Sequence, residues 1–178
     1  LIKISDGNYA VTILRPTALF GEYHKGSIYE LVKSINNRKF VIFGSGENLT
    51  NFYYIRDFIE ILFNVKDNNY AFNEVFIAAD DAFKLNVLIS WIKESLKCER
   101  FIPKASIWMG FIAGYILDIL ASITKKRLPF SVRRLKAMIR DVNYSNRKMS
   151  SMISVKNKYG VEQGIKNTVE WYHKSGML

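Results

Sequence analysis

Short apolar strands alternate with amphipathic helices through the first part of this sequence, and this alternation limits the fold more than any other feature. Val11–Leu14, Phe40–Phe43 and Glu74–Ala78 are β-branched or apolar runs, and the first two are followed by Pro16 and Gly44. Between these runs, apolar residues recur at helical spacing. Strands that alternate with helices favour a parallel sheet covered by helices, so the sequence predicts an α/β fold.

Three helices are predicted between and after these strands. Ser27 precedes an apolar stripe and has Glu30 three residues later, which is the pattern of a capping box at a helix start. Asp57, with Glu60 three residues later, is expected to cap the second helix in the same way. The third helix covers residues 84–97, where apolar residues repeat at helical spacing.

The second part of the chain is almost wholly helical in pattern. It contains the nearly apolar stretch Ile107–Ile123, the basic amphipathic stretch Ser131–Val142 and a final helix after Gly160. We therefore expect residues 1–104 to form an α/β part and residues 105–178 to form a helical cap that packs with it as one unit.

The apolar stretch Ile107–Ile123 allows more than one interpretation. Asp118 is its only charge, and Gly110 and Gly114 have the spacing of closely packed helix pairs. It is shorter than the roughly 20 apolar residues of a membrane span, and its charge lies near the middle. A buried or dimer-forming helix is the favoured interpretation, and a transmembrane helix is the alternative.

The chain is strongly basic. It has 26 Lys plus Arg against 16 Asp plus Glu, a formal charge of +10, which favours anionic partners. Residues 125–148 contain nine Lys or Arg and the single acidic residue Asp141. This segment leaves two alternatives open, a peripheral membrane domain and a nucleic-acid-binding domain, although no nucleic-acid-binding signature accompanies the charge.

Cysteine and histidine exclude some classes of site. The single cysteine, Cys98, cannot build a disulfide framework or a metal cluster within the chain, and it favours a cytoplasmic location. His24 and His173 stand alone, without the spacing of metal ligands, so no metal site is predicted.

Three sequence blocks carry a family resemblance. Leu14–Gly21 reads LRPTALFG, Phe43–Asp57 combines GSGEN with YIRD, and Gly164–Tyr172 reads GIKNTVEWY. In this order the blocks resemble the extended short-chain dehydrogenase/reductase family, nearest to NAD-dependent nucleotide-sugar epimerases and dehydratases of bacterial surface-polysaccharide pathways. The resemblance implies the late strands of a Rossmann-like sheet plus an α-rich substrate-binding cap, as the carboxyl-terminal part of a larger protein.

In the resembled family, the amino-terminal half holds NAD or NADP at a glycine-rich turn and supplies a catalytic Tyr-x-x-x-Lys pair. Our interpretation assigns both motifs to a segment outside this chain, since Gly44–Gly46 lacks the third glycine of a dinucleotide turn. The chain begins at Leu1 and is expected to start inside the larger protein. Without an amino-terminal dinucleotide-binding half as partner, it is expected to be inactive, to contain no catalytic residue and to bind no cofactor tightly.

The resemblance also implies which residues would contact ligands in the complete protein. The cofactor would contact the end of a strand, and the substrate diphosphate would contact the start of a helix. The nucleotide base would contact a strand, and nearby arginines would supply positive charge to the diphosphate. These residues are Pro16 and Thr17 for the cofactor, and Lys25, Gly26, Ser27, Val41, Phe43, Arg56, Arg133 and Arg134 for a nucleotide-diphosphate sugar. The alternatives are a plain strand terminator, a self-capped helix, core packing and a solvated basic face.

Two departures from the family pattern leave the substrate open. Ala18 and Thr50 stand where many relatives have Asn and a phosphate-binding Arg. The substrate domain of a ketone reductase, of the 3β-hydroxysteroid dehydrogenase or dihydroflavonol reductase kind, would share the first and last blocks. Epimerase, dehydratase and reductase therefore remain alternatives, as do NAD and NADP, and a homodimer stays open.

Overall fold

A computed structural model describes residues 11–66, 68–125, 130–153 and 156–178 as a mixed α/β structure. The strands are β1 (Ile13–Pro16), β2 (Ala18–Phe20), β3 (Ile42–Phe43), β4 (Leu49–Thr50), β5 (Phe52–Tyr54), β6 (Val75–Ala78), β7 (Phe83–Lys84) and β8 (Lys104–Ala105). The helices are α1 (Ser27–Asn36), α2 (Ile55–Lys66), α3 (Leu85–Ser95), α4 (Ile107–Thr124), α5 (Val132–Ile139), α6 (Arg147–Ile153) and α7 (Gly160–Lys174), with a 3-10 turn at Asn69–Ala71.

The strands pair in twos, mostly in parallel. β1 pairs with β6, β2 with β5 and β3 with β8 in parallel, whereas β4 and β7 are antiparallel. Parallel pairing requires crossover connections, and α1 and α2 both lie between β1 and β6 in the chain. The predicted α/β fold is thereby confirmed.

Two details of the first strands differ from the sequence prediction. β1 continues through Arg15 and Pro16, with Pro16 in register with Ala78, instead of ending before them. Proline is tolerated there because it is the last residue of the strand. The next N–H, of Thr17, donates to the Ala78 carbonyl at 3.0 Å. β2 then forms at Ala18–Phe20, where the sequence analysis predicted no strand.

The larger hydrophobic core joins residues from both halves of the sequence. It includes Phe20, Ile28, Tyr54, Leu88 and Ile165, all of them almost completely buried. Along α7, glycine allows a close approach of the helix to β5. A Cβ atom at position 164 would lie only 2.6 Å from Cγ of Tyr54. The last helix therefore packs directly on the α/β part, while the predicted domain boundary near residue 104 stays a prediction.

Asp57 has a different role from the predicted one. α2 begins two residues earlier, at Ile55, because β5 leads directly into it, so Asp57 does not cap α2. Its carboxylate instead accepts three backbone N–H groups at the start of α7. Oδ1 accepts from Lys158 at 2.9 Å and Tyr159 at 3.0 Å, and Oδ2 accepts from Gly160 at 2.9 Å. A side chain buried on α2 thus caps a helix about a hundred residues further along the chain.

α4 also differs from its prediction. Its mean hydropathy is 1.7 and only 11% of it is buried, so the buried alternative of our favoured interpretation is wrong, while the dimer-forming alternative stays a prediction. By length and composition it is the one helix in the described part of the chain that could cross a membrane. Ser106 caps it by accepting the Trp108 N–H, and Ser131 caps α5 by accepting the Arg134 N–H.

We predict that Asp57→Ala lowers the free energy of unfolding by about 3 kcal/mol. The substitution leaves three N–H groups at the start of α7 without their charged acceptor in a buried position. Urea unfolding monitored by circular dichroism measures this loss. Glu60→Ala, which removes an exposed carboxylate from the same helix, is the matched control and is expected to change the free energy by less than about 0.5 kcal/mol. Equal effects of the two substitutions would contradict the capping role.

Candidate functional site

The carboxyl ends of β1 and β6 meet, and polar side chains gather there. In open α/β sheets, ligands bind at this end of the strands. Thr17 follows β1, and its hydroxyl Oγ1 is buried without a hydrogen-bond partner among the described residues. A buried polar atom without a partner is costly, so it indicates a ligand contact or an ordered water. Thr17 was one of the two residues predicted to contact a cofactor, and the other, Pro16, is exposed beside it.

Asn51 is the second side chain at this end with an unmet polar atom. It is 3% exposed, and its Nδ2 donates to the Asp80 carbonyl at 2.9 Å, while Oδ1 has no partner in the described structure. Asp80 follows β6 and Asn51 precedes β5, so this bond connects the end of β6 to the start of β5. One hydrogen bond therefore holds the Asn51 amide, and its carbonyl oxygen remains available to accept another.

Two further residues complete this arrangement. The Tyr53 hydroxyl donates to Oδ1 of Asn157 at 2.7 Å, and burial raises the pKa of Tyr53 well above its usual value. Asn157 also bonds to the Asp80 carboxylate, which accepts the Asp81 N–H at 2.9 Å. Burial nevertheless raises the pKa of Asp80. We call Thr17, Asn51, Tyr53, Asp80 and Asn157 the strand-end cluster.

The strand-end cluster suits an amide-bearing ligand better than a metal ion. A threonine hydroxyl can donate and accept, and the Asn51 carbonyl oxygen accepts, so the pair matches a carboxamide group such as that of nicotinamide. No group of three or more His, Cys, Asp or Glu that could hold a metal occurs in the described ranges. The residues present thus fit the cofactor amide that the family resemblance implies.

The start of α1 is a second place where a ligand could bind. Gly26, not Ser27, is the N-cap, and no side chain caps the helix, so the predicted capping box is wrong. The Glu30 backbone N–H bonds to the Gly26 carbonyl at 3.1 Å. A Cβ at position 26 would lie 2.1 Å from Cε1 of His24, so a larger residue there would displace the exposed His24 ring. Lys25 is exposed beside this start, which offers N–H groups and a positive dipole to an anion.

Arg56 is held by an acidic partner. Its guanidinium lies 2.7 Å from the Glu22 carboxylate, which also accepts the Tyr54 hydroxyl at 2.9 Å. Burial raises the pKa of Tyr54 to about 12, and electrostatic interactions with Tyr54 and Glu22 raise the pKa of Arg56. Because Glu22 neutralises it, Arg56 is less available to a diphosphate than a solitary arginine would be. Its predicted contact with substrate stays a prediction.

The remaining predicted substrate residues lie around β3 and α5. Ile42 faces the core at 4% exposure, while Val41 and Phe43 are only partly buried. The Phe43 ring packs against Phe130, with ring centroids 5.2 Å apart, and one face of it is therefore occupied. Arg133 and Arg134 lie in the first turn of α5, and both side chains are exposed.

The expectation that the chain contains no Tyr-x-x-x-Lys spacing is wrong. Tyr29 and Lys33 have it on α1, where Nζ of Lys33 lies 3.3 Å from the Tyr29 hydroxyl. That hydroxyl donates to the Met177 carbonyl at 3.4 Å, which ties α1 to the end of the chain. Tyr144 and Lys148 also have it, but Tyr144 precedes α6 and the Lys148 ammonium pairs with a glutamate. In the described structure, the Tyr29 hydroxyl therefore holds the end of the chain, and Lys148 is paired with Glu74.

Sequence reasoning missed four of the five residues of the strand-end cluster, namely Asn51, Tyr53, Asp80 and Asn157. Asp80 could have been found, because a carboxylate directly after a buried strand falls at the ligand-binding edge of a parallel sheet. Asn51 had no comparable signal, since it lies between two very short strands. Two surface hollows of about 560 and 340 Å³ near Cys98 contain none of the predicted site residues.

We predict that Asp80→Asn raises the melting temperature near neutral pH. Burial raises the pKa of this carboxyl, so the folded protein favours its protonated form. The stability that the Asp80 carboxyl contributes is therefore present at pH values below its pKa in the unfolded state. It is lost as the pH rises through its pKa in the folded state. Asparagine keeps an acceptor for the Asp81 N–H and removes the charge.

Thermal unfolding of both proteins across a pH series tests this assignment. The difference in melting temperature is expected to shrink as the pH falls below about 4, where wild-type Asp80 is protonated in both states. A variant that is less stable than wild type near neutral pH would contradict the assignment.

This chain is similar in sequence to a known sugar epimerase. The N-acetyl-α-D-glucosaminyl-diphospho-ditrans,octacis-undecaprenol 4-epimerase of Escherichia coli O157:H7 is 30% identical over 165 residues, which cover 91% of this chain and 49% of that protein. The chain thus spans about half the length of this relative. No family model matches the sequence.

Solved structures of the same enzyme group share the fold. The UDP-glucose 4-epimerase of Thermotoga maritima, solved with UDP-glucose, matches with a TM-score of 0.63 at 19% identity over 92% of this chain and 46% of its own. The dTDP-glucose 4,6-dehydratase of Bacillus anthracis, solved with NAD, matches with a TM-score of 0.61 at 17% identity over 92% of this chain and 44% of its own. The predicted resemblance is confirmed: the chain is similar in sequence to the carboxyl-terminal half of that epimerase, and it shares the fold of the solved sugar epimerases and dehydratases.

Proposed function

We propose that this chain is the substrate-binding half of an NAD(P)-dependent 4-epimerase that acts on a sugar joined to a carrier through a diphosphate. The match to the undecaprenol-linked epimerase over 91% of the chain is the observation that chiefly supports the proposal. In this proposal a further segment, corresponding to the other half of that relative, supplies the dinucleotide turn and the catalytic base. The enzyme works in the cytoplasm, in the synthesis of surface polysaccharides.

The strand-end cluster would hold the nicotinamide end of the cofactor. When bound, NAD or NADP supplies the hydride acceptor and donor for oxidation and reduction at the sugar carbon. Thr17 and Asn51 have the buried, unpartnered oxygens that such a carboxamide could satisfy. The role of this half is thus to bind and orient the cofactor and the substrate, while proton transfer is assigned to the other half.

The start of α1 would bind the diphosphate. Its first N–H groups have no side-chain cap, and Lys25 adds an exposed cation beside them. A nucleotide sugar and a polyprenyl diphosphate sugar present the same sugar 1-diphosphate, so this site accepts either carrier on chemical grounds. The carrier itself must be recognised elsewhere.

The surroundings of Phe43 bear on the choice of carrier. A nucleotide base held by stacking needs a free ring face, and Phe130 occupies one face of Phe43. Gly110 of α4 lies against the edge of the ring, since a Cβ there would be 2.7 Å from Cδ1 of Phe43. This packing favours a carrier without a base, as in the relative from Escherichia coli.

Turnover by the intact protein tests the proposal. The protein is incubated with NAD, and with NADP in parallel, on UDP-N-acetylglucosamine in one arm and undecaprenyl-diphospho-N-acetylglucosamine in the other. The released sugars are then separated as gluco and galacto epimers. Formation of the galacto epimer in either arm supports the epimerase, and the productive arm identifies the carrier. Absence of a galacto product in both arms, from a folded protein that binds NAD, would overturn the proposal.

We predict that Thr17→Val raises the KM for the dinucleotide about tenfold while the melting temperature stays equal or rises. The variant removes one hydrogen bond to the cofactor, worth about 1.4 kcal/mol, and also removes a buried hydroxyl that lacks a protein partner. Thr124→Val, at an exposed threonine on α4, is the control and is expected to leave KM unchanged. An unchanged KM in Thr17→Val would remove Thr17 from the cofactor site.

A further inference from the structure

α4 presents an apolar face that no described residue covers. Five large side chains recur at helical spacing along it and point away from the protein. They are 58–78% exposed: Trp108, Ile112, Tyr115, Ile119 and Ile123. We call these five residues the outer face. Water-soluble surfaces rarely keep so many large apolar side chains together without a partner.

The opposite side of α4 is made of small residues that fit against the protein. A Cβ at position 110 would lie 3.1 Å from the Leu135 side chain, and one at position 114 would lie 3.0 Å from the Val132 backbone nitrogen. Asp118, four residues further, accepts the Val132 N–H at 3.1 Å. The one charge of the helix is thereby directed toward α5, and the outer face on the far side carries none.

This attachment determines how α4 can meet a bilayer. A helix of 18 residues is about 27 Å long, close to the thickness of a hydrocarbon core. To span it, however, α4 would have to leave Leu135 and Val132, which close-packed glycines hold against it. A helix that keeps one side on its protein can bury the other side only by lying in the plane of the membrane surface.

Cations flank the outer face. Lys104 lies just before α4, Lys125 directly follows it, and both side chains are exposed. Residues 125–148 carry nine Lys or Arg against one acidic residue, and the chain as a whole has a net charge of +10. Anionic lipid headgroups complement such a rim, whereas a second copy of this chain would bring like charges together.

We propose that the outer face of α4 docks in the interface of an anionic lipid bilayer. The five apolar side chains enter the boundary between headgroups and acyl chains, and the flanking lysines contact lipid phosphates. The inference stands on the exposure and surroundings of α4 and does not depend on the proposed epimerase activity. It also agrees with that activity, because a polyprenyl diphosphate sugar would be held in the same bilayer.

Vesicle co-sedimentation of the intact protein tests the docking. Wild type is mixed with vesicles of phosphatidylcholine alone or with added phosphatidylglycerol. The variant Ile112→Glu/Ile119→Glu places two negative charges on the outer face without touching the packed side. The control Ile59→Glu/Phe63→Glu makes the same change on exposed residues of α2. Circular dichroism verifies that all three proteins are equally folded.

Wild type and the α2 control are expected to bind the phosphatidylglycerol vesicles at least about tenfold more tightly than the α4 variant. Failure of wild type to bind, or equal binding by the α4 variant, would overturn the docking. A second outcome would be that wild type does not bind vesicles and sediments as a dimer, whereas the α4 variant sediments as a monomer. The outer face would then contact a second copy instead, and the proposal would be wrong. The epimerase assay, run without vesicles on UDP-N-acetylglucosamine, reports on the proposed function separately.

Fluorescence of Trp108 gives an independent measurement. This indole is 78% exposed, so its emission is expected to shift to shorter wavelength when the outer face enters a bilayer. Trp108→Phe should abolish that shift while binding persists, because the other tryptophans, at positions 91 and 171, are already partly buried. A shift that survives in Trp108→Phe would contradict docking through α4.

Discussion

The carboxylate of Asp57 connects two helices whose bonded residues lie about a hundred positions apart in sequence. It accepts three N–H groups at the start of α7 from a position on α2, so the direction of α7 depends on it. α7 in turn packs its Gly164 against Tyr54, and its Tyr172 hydroxyl donates to the His24 carbonyl at 2.8 Å. Through α7, Asp57 therefore also fixes the loop that leads to the start of α1. A charged acceptor that replaces water for three donors can stabilise such a junction strongly.

The polar groups at the strand ends are satisfied unequally. Tyr53 and Asp80 have partners within the protein, whereas the Thr17 hydroxyl and the Asn51 carbonyl oxygen have none among the described residues. A network that is partly satisfied is costly unless a ligand or water completes it. The cost lies at the end of a parallel strand pair, where ligands bind in this class of fold. The candidate site is thus distinguished by two buried oxygens without hydrogen-bond partners among the described residues. In the proposed function, the cofactor amide would bond to these oxygens.

Local patterns predicted most of the helices and strands but misassigned several roles. α3 and α7 follow from apolar periodicity, which is a property of neighbouring residues. Asp57 was assigned to the wrong helix because the N–H groups that it accepts lie about a hundred residues away. Asn51 was missed for the same reason, since its partner belongs to another strand end. The apolar composition of α4 predicted a helix correctly, yet composition cannot show which side the protein covers, so its predicted burial was wrong.

The docking of α4 and the proposed substrate constrain each other through shared contacts. Gly110 of α4 packs on Phe43 and Leu135, so a bilayer against the outer face would hold β3 and α5 one helix diameter, about 10 Å, above the membrane surface. A soluble nucleotide sugar needs no such placement. The Phe130 ring on one face of Phe43 and the uncovered outer face of α4 therefore both agree with the lipid carrier that we propose.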